Sequence, residues 1–347
     1  MYSDIKKTFS VKENAVILAI ESSCDETAAA VIKNGREILS SKIMSSATEH
    51  VRFGGVVPEI ASRAHTSAVS LVVKEAVDAA GITLKDLDAV AVTYGAGLLG
   101  ALLVGVSYAK SLAYALDIPL VAVSHIRGHL AAAYLADKTL EPPFVSLLAS
   151  GGHTAVIVVN SYDDFNILGS TLDDAVGEAF DKVARVLGLN YPGGPNIERL
   201  AREGRNVIKF PKMLKGEGGY NFSYSGLKTA VINYVHHAEQ TGEEVNKADV
   251  ACSFQSAAID ILVEKTIAAA KEYSLKTVTV GGGVAANGYL RDKITEACKK
   301  NGLKLVLPEK VFCTDNAAMI GAEGYIRYSE GEFADLSLNA KARVELK

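Results

Sequence analysis

Cysteine is scarce and scattered in this chain. Cys24, Cys252, Cys298 and Cys313 are the only four in 347 residues, and they form no CxxC pair. That excludes a disulfide-stapled scaffold and points to a reducing compartment, the cytoplasm. The opening MYSDIKKTFSVKEN has no apolar core, so no signal peptide is expected. The longest apolar stretches are broken by Gly, Lys or Tyr, so no membrane-crossing helix is expected. An excess of positive charge is missing too: 36 Lys and Arg against 40 Asp and Glu give a net −4. Proteins that live mainly on nucleic acid show a basic balance. Any such role here needs a local basic patch or a helper subunit. What is present is an ordinary globular composition, 49% hydrophobic and 22% charged, long enough for two domains with substantial cores.

The pattern along the chain repeats. Val16 to Ile20 reads as a buried strand, Thr27 to Lys33 as a second, and Asn34-Gly35 as a hairpin turn into a third, Arg36 to Ile43. A helix over Pro58 to Ala80 follows, then strand LDAVAVTYG, helix LLGALLVGVSYAKSLAYAL and strand LVAVS. From FVSLLASGGHTAVIVV the sequence again reads strand, tight polar turn, strand, loop, strand. Helices are then expected at 174–187, 195–203, 226–236 and 248–273. Strand TVTVGG, helix 287–300, strand KLVLP and helix 316–328 complete the pattern. Two meanders, each followed by alternating helices and strands, imply two similar α/β halves. The expected class is a duplicated actin-like or sugar-kinase-like (ASKHA) fold. It would have two RNase H-like halves with mixed sheets and a nucleotide cleft between them. The expected domains are 1–143, 144–324 and a C-terminal helix and tail over 325–347.

Several motifs can carry chemistry. His125 and His129 in VAVSHIRGHLAAAYLA lie one helical turn apart, so both imidazoles can point at one ion. A helical zinc protease has Glu after the first His as general base; here that residue is Ile126. In CTDN, Thr314 or Asp315 reads as an N-cap, and Asp315 also reads as a third metal ligand. Two His and one carboxylate leave coordination positions open for substrate. The turn ESSCDET offers hydroxyls on Ser22, Ser23 and Thr27 beside Glu21, Asp25 and Glu26. It reads either as a plain hairpin or as a phosphate approach. Ser150-Gly151-Gly152-His153-Thr154 permits close backbone approach and an anion-binding concavity. Gly281-Gly282-Gly283-Val284-Ala285-Ala286-Asn287 joins a strand to a helix, with Asn287 either as cap or as ligand contact. It is neither a Rossmann fingerprint nor a P-loop. Asp181 stands four residues before Arg185 as an ion pair would. In YPGGPNIE, Gly194 and Glu198 flank an expected helix start at Pro195. RLAREGRNVIKFPKMLK concentrates Arg199, Arg202, Arg205, Lys209, Lys212 and Lys215, a solvated face or a phosphate-backbone contact.

Taken together these blocks resemble the bacterial-type tRNA N6-adenosine threonylcarbamoyltransferase family (the TsaD family, once labelled O-sialoglycoprotein endopeptidase). The matching blocks are IESSCDETAAAV, FGGVVPEIASRAH, YGAGLLGALLVG, HIRGH, LASGGHTAV, GEAFDKVARVLGL, YPGGP, FSYSGLKTAV, GGGVAAN and CTDNAAMI. They run in family order from Ile17 to about Tyr328. Ala149, Ala285 and Glu198 stand where many bacterial members have Val, Ser and Asp. The resemblance implies transfer of threonylcarbamoyl from threonylcarbamoyl-AMP to N6 of adenosine 37, in tRNAs reading codons that begin with A. It implies His125, His129 and Asp315 as ligands of one divalent metal, Fe2+ or Zn2+. Leu148, Ala149, Ser150, Gly151, Gly152, Asp181, Gly194, Glu198 and Asn287 match its ligand-binding positions. Glu21, Ser22, His153, Gly282 and Gly283 are further candidates from the turns. It also implies partners: a paralogous actin-like subunit (TsaB type) and a small P-loop ATPase (TsaE type). No general base is assigned. A metalloprotease and an actin-like-fold small-molecule kinase are the competing readings.

Overall fold

A computed structural model describes residues 9–212, 214 and 219–346. The chain divides into two compact units, Met1–Leu140 with Asp315–Lys347, and Glu141–Thr314.

The first unit opens with a meander: β1 (Val16–Glu21), β2 (Glu26–Lys33) and β3 (Glu37–Ser45). Asn34 and Gly35 both have positive φ, so the β2–β3 turn has the twist a tight hairpin needs. After α1 (Ala47–His50) and α2 (Pro58–Ala79) come β4 (Ala89–Gly95), α3 (Leu99–Leu116), β5 (Leu120–Ser124) and α4 (His125–Ala136). The sheet order is β3-β2-β1-β4-β5, antiparallel through the meander and parallel from β1 to β5. Leu18, Ile20, Val90 and Val92 face Val69, Val72 and Val73 of α2 and Leu102 and Val106 of α3. Each such side chain contributes about 1.5–3 kcal/mol on full burial.

The second unit repeats this order. Its strands are β6 (Phe144–Ala149), β7 (Thr154–Val159) and β8 (Phe165–Ser170), then β9 (Thr277–Gly281) and β10 (Lys304–Val306). They form the sheet β10-β9-β6-β7-β8, with the same mixture of antiparallel and parallel pairs. Helices α5 (Val176–Val186), α6 (Gly193–Ala201), α7 (Ser225–Thr241) and α8 (Lys247–Glu272) pack around one core, and α9 (Gly288–Lys300) joins β9 to β10. Phe180 and Phe254 meet edge-on at 5.0 Å within that core. The strand order shared by the two sheets is the duplication that the two meanders announce.

The structure departs from three sequence expectations. The return to the first unit falls at Asp315, not after residue 324, because α10 (Ala317–Ser329) packs on β1, β2, β4 and β5. Gly321 makes that approach possible, since a Cβ there would lie 2.3 Å from Ile32. Helix α6 begins at Gly193, with Pro192 before it, rather than at Pro195. Helix α3 is long and apolar enough to cross a membrane by length and composition, despite Gly105, Tyr108 and Lys110. One face of it is core: Leu102, Val106 and Ala109 pack with α2 and β4.

Candidate functional site

In the first unit, β5 runs into α4 with no loop, so His125 is the first residue of the helix and His129 follows one turn later. Their rings meet edge-on at 4.6 Å. Nε2 of His125 lies 3.4 Å, and Nε2 of His129 3.3 Å, from the same Asp315 Oδ1. Neither Asp315 nor Thr314 caps α10. Asn316 does, accepting the Met319 N–H at 3.0 Å, so Asp315 takes no part in capping. His125, His129 and Asp315 are a group whose ligand atoms all lie within 4.8 Å of one another.

The donor set fits a metal ion. Both ring nitrogens of His129 are buried; Nδ1 has no hydrogen-bond partner among the described residues, and Nε2 faces only Asp315 Oδ1 at 3.3 Å. Such an orphan costs about 1–3 kcal/mol, and coordination through Nε2 would satisfy the nitrogen that faces Asp315. His125 is braced from behind. Its Nδ1 lies 3.1 Å from Glu21 Oε2 and 3.1 Å from Ser23 Oγ. Glu21 is wholly buried and also accepts from Thr93 Oγ1 at 2.6 Å. A proton on Nδ1 shared with Glu21 leaves the Nε2 lone pair aimed at the Asp315 side, the tautomer a metal ligand needs. Burial alone would lower the pKa of His125, but Asp315 and Glu21 overcome it and push it up to about 9. Burial would raise Glu21, yet His125 holds it below the usual range. Burial holds His129 low. Two carboxylates thus converge on His125 and favour positive charge there, a proton on Nε2 that a metal ion would displace. Ser22, by contrast, is consumed structurally: its hydroxyl donates to Ala101 O at 3.0 Å.

In the second unit the glycine turns come together. Ser150 N–H donates to His153 O at 2.8 Å, and His153 N–H returns to Ser150 Oγ at 3.0 Å, closing the β6–β7 turn. Gly151 and Gly152 are exposed, with open space where a Cβ would stand. Gly282 has φ +90°, and a Cβ there would sit 2.4 Å from Ala149 O. A Cβ on Gly177 would meet Gly151 Cα at 2.8 Å. Bare backbone from β6, β9 and the start of α5 therefore meets in one place. Leu148 and Ala149 are buried strand residues, so only their backbone can reach a ligand.

Asp181 Oδ1 accepts the Gly193 N–H at 2.7 Å, at the N-terminus of α6 where a carboxylate is favoured. Gly194 beside it is open, and Gly283 is open at the β9 turn. Glu198 is paired with Arg202 at 2.5 Å, and its Oε1 would stand 2.9 Å from a Cβ on Gly288. Asn287 both caps α9, accepting Leu290 N–H at 3.0 Å, and donates to Gln255 Oε1 at 2.9 Å. Thr93, Gly177 and Gln255 were not singled out from sequence. Gly177 alone carried a signal, a glycine beside the expected start of a helix.

Two residues of the basic stretch form ion pairs within the protein. Arg202 pairs with Glu198, and Lys212 reaches Asp260 at 3.0 Å and Glu264 at 2.9 Å. Arg205 and Lys209 are exposed. Lys215 lies outside the described residues.

Two sheets of this shared order define an actin-like, sugar-kinase-like ATPase-class fold. It is shared with component A of the (R)-2-hydroxyglutaryl-CoA dehydratase of Acidaminococcus fermentans at TM-score 0.55 and 14% identity, over 91% of this chain and 99% of that one. It is also shared with full-length HypF in its phosphate- and nucleotide-bound form at TM-score 0.61 and 16% identity, over 96% of this chain and 49% of that one. The family model described as tRNA N6-adenosine threonylcarbamoyltransferase matches residues 37–322, and the chain belongs to that family. Proteins of that description from Clostridium perfringens strain 13 and Clostridium botulinum strain Kyoto are 52% and 51% identical, over 96% and 97% of this chain and 99% of each relative. The chain is a transferase that places a threonylcarbamoyl group on N6 of adenosine in tRNA.

Proposed function

We propose that the donor is threonylcarbamoyl-AMP, the acceptor adenosine 37 of tRNAs reading codons that begin with A, and the cofactor one divalent metal, Fe2+ or Zn2+, on His125, His129 and Asp315. The observation that carries the metal is the convergence of both Nε2 atoms on one Asp315 oxygen, with Glu21 behind His125. When bound, the ion supplies Lewis-acid stabilisation of oxygen charge developing on the donor. The chain's own residues do the rest by orientation. An exocyclic amine is a poor nucleophile, so holding it against the carbamoyl carbon supplies much of the rate. The backbone N–H groups of Ser150 to Gly152 would face phosphate or a developing oxyanion. Asp181, Gly194 and Glu198 would hold ribose hydroxyls. Gly282, Gly283 and Asn287 would flank adenine, where bare backbone suits a flat ring. Glu198 must then exchange or share its contact with Arg202.

The partners proposed are a paralogous actin-like subunit and a small P-loop ATPase of the TsaB and TsaE types, in the cytoplasm. The net charge of −4 supports shared binding of tRNA. On α3, Leu99 is 50%, Leu103 40% and Tyr114 66% exposed, an apolar surface that supports a subunit contact. The test is reconstitution of the chain with threonylcarbamoyl-AMP and unmodified tRNA, with and without metal and partners, read by nucleoside mass spectrometry. Modified adenosine that depends on metal and on His125 is expected. Full transfer by metal-free His125→Ala protein would overturn the scheme.

A further inference from the structure

The middle one of the three residues between His125 and His129 is Arg127, and its Nε donates to Glu323 Oε1 at 2.7 Å. Glu323 lies on α10, and the same oxygen accepts from Arg327 Nε at 3.0 Å. Glu323 is buried, and the side chains of both arginines are nearly so. Arg327 continues to Glu332. One carboxylate thus ties α4, which carries His125 and His129, to α10, whose N-terminus follows Asp315. Gly128 marks the closeness of the two helices, since a Cβ there would lie 2.7 Å from Ile320 Cδ1.

A buried ion network of this kind adds little net stability over apolar residues of equal volume, because desolvation offsets the attraction. What it supplies is direction. On a helix, residue 127 projects about 200° from residue 125, nearly opposite the ligand face. A contact there resists rolling of α4 about its axis, which the apolar contact at Gly128 does not. A roll of about 20° would sweep an imidazole nitrogen ~6 Å from the axis through about 2 Å. That is roughly ten times the ~0.2 Å tolerance of a metal–ligand bond. We infer that Arg127 and Glu323 are positioning residues that set the roll of α4 against α10, and thereby the geometry and affinity of the metal centre. The inference rests on the metal reading of His125, His129 and Asp315.

The experiment uses the full chain, metal-stripped and titrated with Zn2+ against a chromophoric chelator, with Co2+ as a spectroscopic probe. Unfolding temperature is measured without metal. The double variant Arg127→Met/Glu323→Leu replaces the pair by apolar groups. Because Glu323 also serves Arg327, which keeps Glu332, it is expected to unfold at a lower temperature than the parent while remaining folded, to bind Zn2+ on the order of tenfold more weakly, and to shift the Co2+ ligand-field bands. Arg127→Lys keeps the charge but not the planar fork, and serves if the double variant does not fold. It is expected to weaken Zn2+ binding in the same direction. A folded variant with the parent's Zn2+ affinity and Co2+ spectrum would overturn the inference, whatever its stability. Failure of the unsubstituted chain to bind either ion would instead overturn the metal reading itself.

Discussion

Glu21 stands directly behind His125, its Oε2 3.1 Å from Nδ1, at the end of the first strand of the chain. A turn residue that reads as a phosphate contact in sequence is, in the fold, the brace of a histidine proposed to hold a metal. Glu21→Gln keeps the shape but loses the charge that favours the Nδ1–H tautomer. Zn2+ affinity should fall roughly 10- to 100-fold by chelator competition. Unchanged affinity would mean that Glu21 serves some other group.

His129 predicts a crossing of stabilities. Its Nδ1 lacks a partner among the described residues and its Nε2 has only a long contact with Asp315, so in metal-free protein the ring costs about 1–3 kcal/mol. His129→Leu should therefore unfold at a higher temperature than the parent in chelator. Adding metal at a hundred times its dissociation constant should stabilise only the parent, by about 2.7 kcal/mol. Calorimetry in both conditions checks this. Equal metal response by the variant would remove His129 from the ligand set.

Gly282 leaves no room for a side chain. With φ +90° and Ala149 O 2.4 Å from a prospective Cβ, Gly282→Ala strains the backbone and pushes β9 from β6. Nucleotide binding should be lost or weakened at least tenfold, with stability down by about 1–3 kcal/mol. Gly283→Ala, which meets open space, is the control. Isothermal titration with AMP separates the two; equal affinities would put the adenine elsewhere.

Acid should loosen the second unit. Asp173 accepts from Ser223 Oγ, Tyr224 N–H and Ser225 N–H, and Asp174 from Lys182 and Lys228. Burial would raise both acids, but these donors outweigh it and hold both below the usual aspartate range. A depressed folded pKa means the stabilisation is complete above the unfolded value. It is lost as pH falls through the folded one. Asp174→Asn should cost about 1 kcal/mol at neutral pH after solvent screening, and should flatten the stability profile below pH ~4. An unaltered profile, followed by circular dichroism, would show that the lysine contacts contribute nothing.

Much of the fold was legible because strand and helix periods are local. The meanders, the hairpin at Asn34-Gly35 and the two halves follow from runs of a few residues. The approach of His125 to His129 was legible for the same reason, since their spacing is helical. What the sequence hid is non-local. Nothing near Glu21 announces that it faces His125 across a hundred residues, and nothing near Lys212 announces Asp260 and Glu264. Capping was misassigned by one residue, because Thr314, Asp315 and Asn316 are all good caps and only packing of α10 selects Asn316. Within the basic run the fold supplies carboxylates to Arg202 and Lys212 and leaves Arg205 and Lys209 exposed.

Asp315, the proposed third ligand, belongs to the first unit but is encoded after the whole of the second. During synthesis, His125 and His129 emerge long before Asp315, and the entire second unit is made in the interval. A growing chain therefore offers two imidazoles and no carboxylate, a weaker and less discriminating ion trap. The proposed three-ligand set is completed only when the polypeptide re-enters its starting unit, so an ion held by all three would be captured among the last events of the protein's maturation.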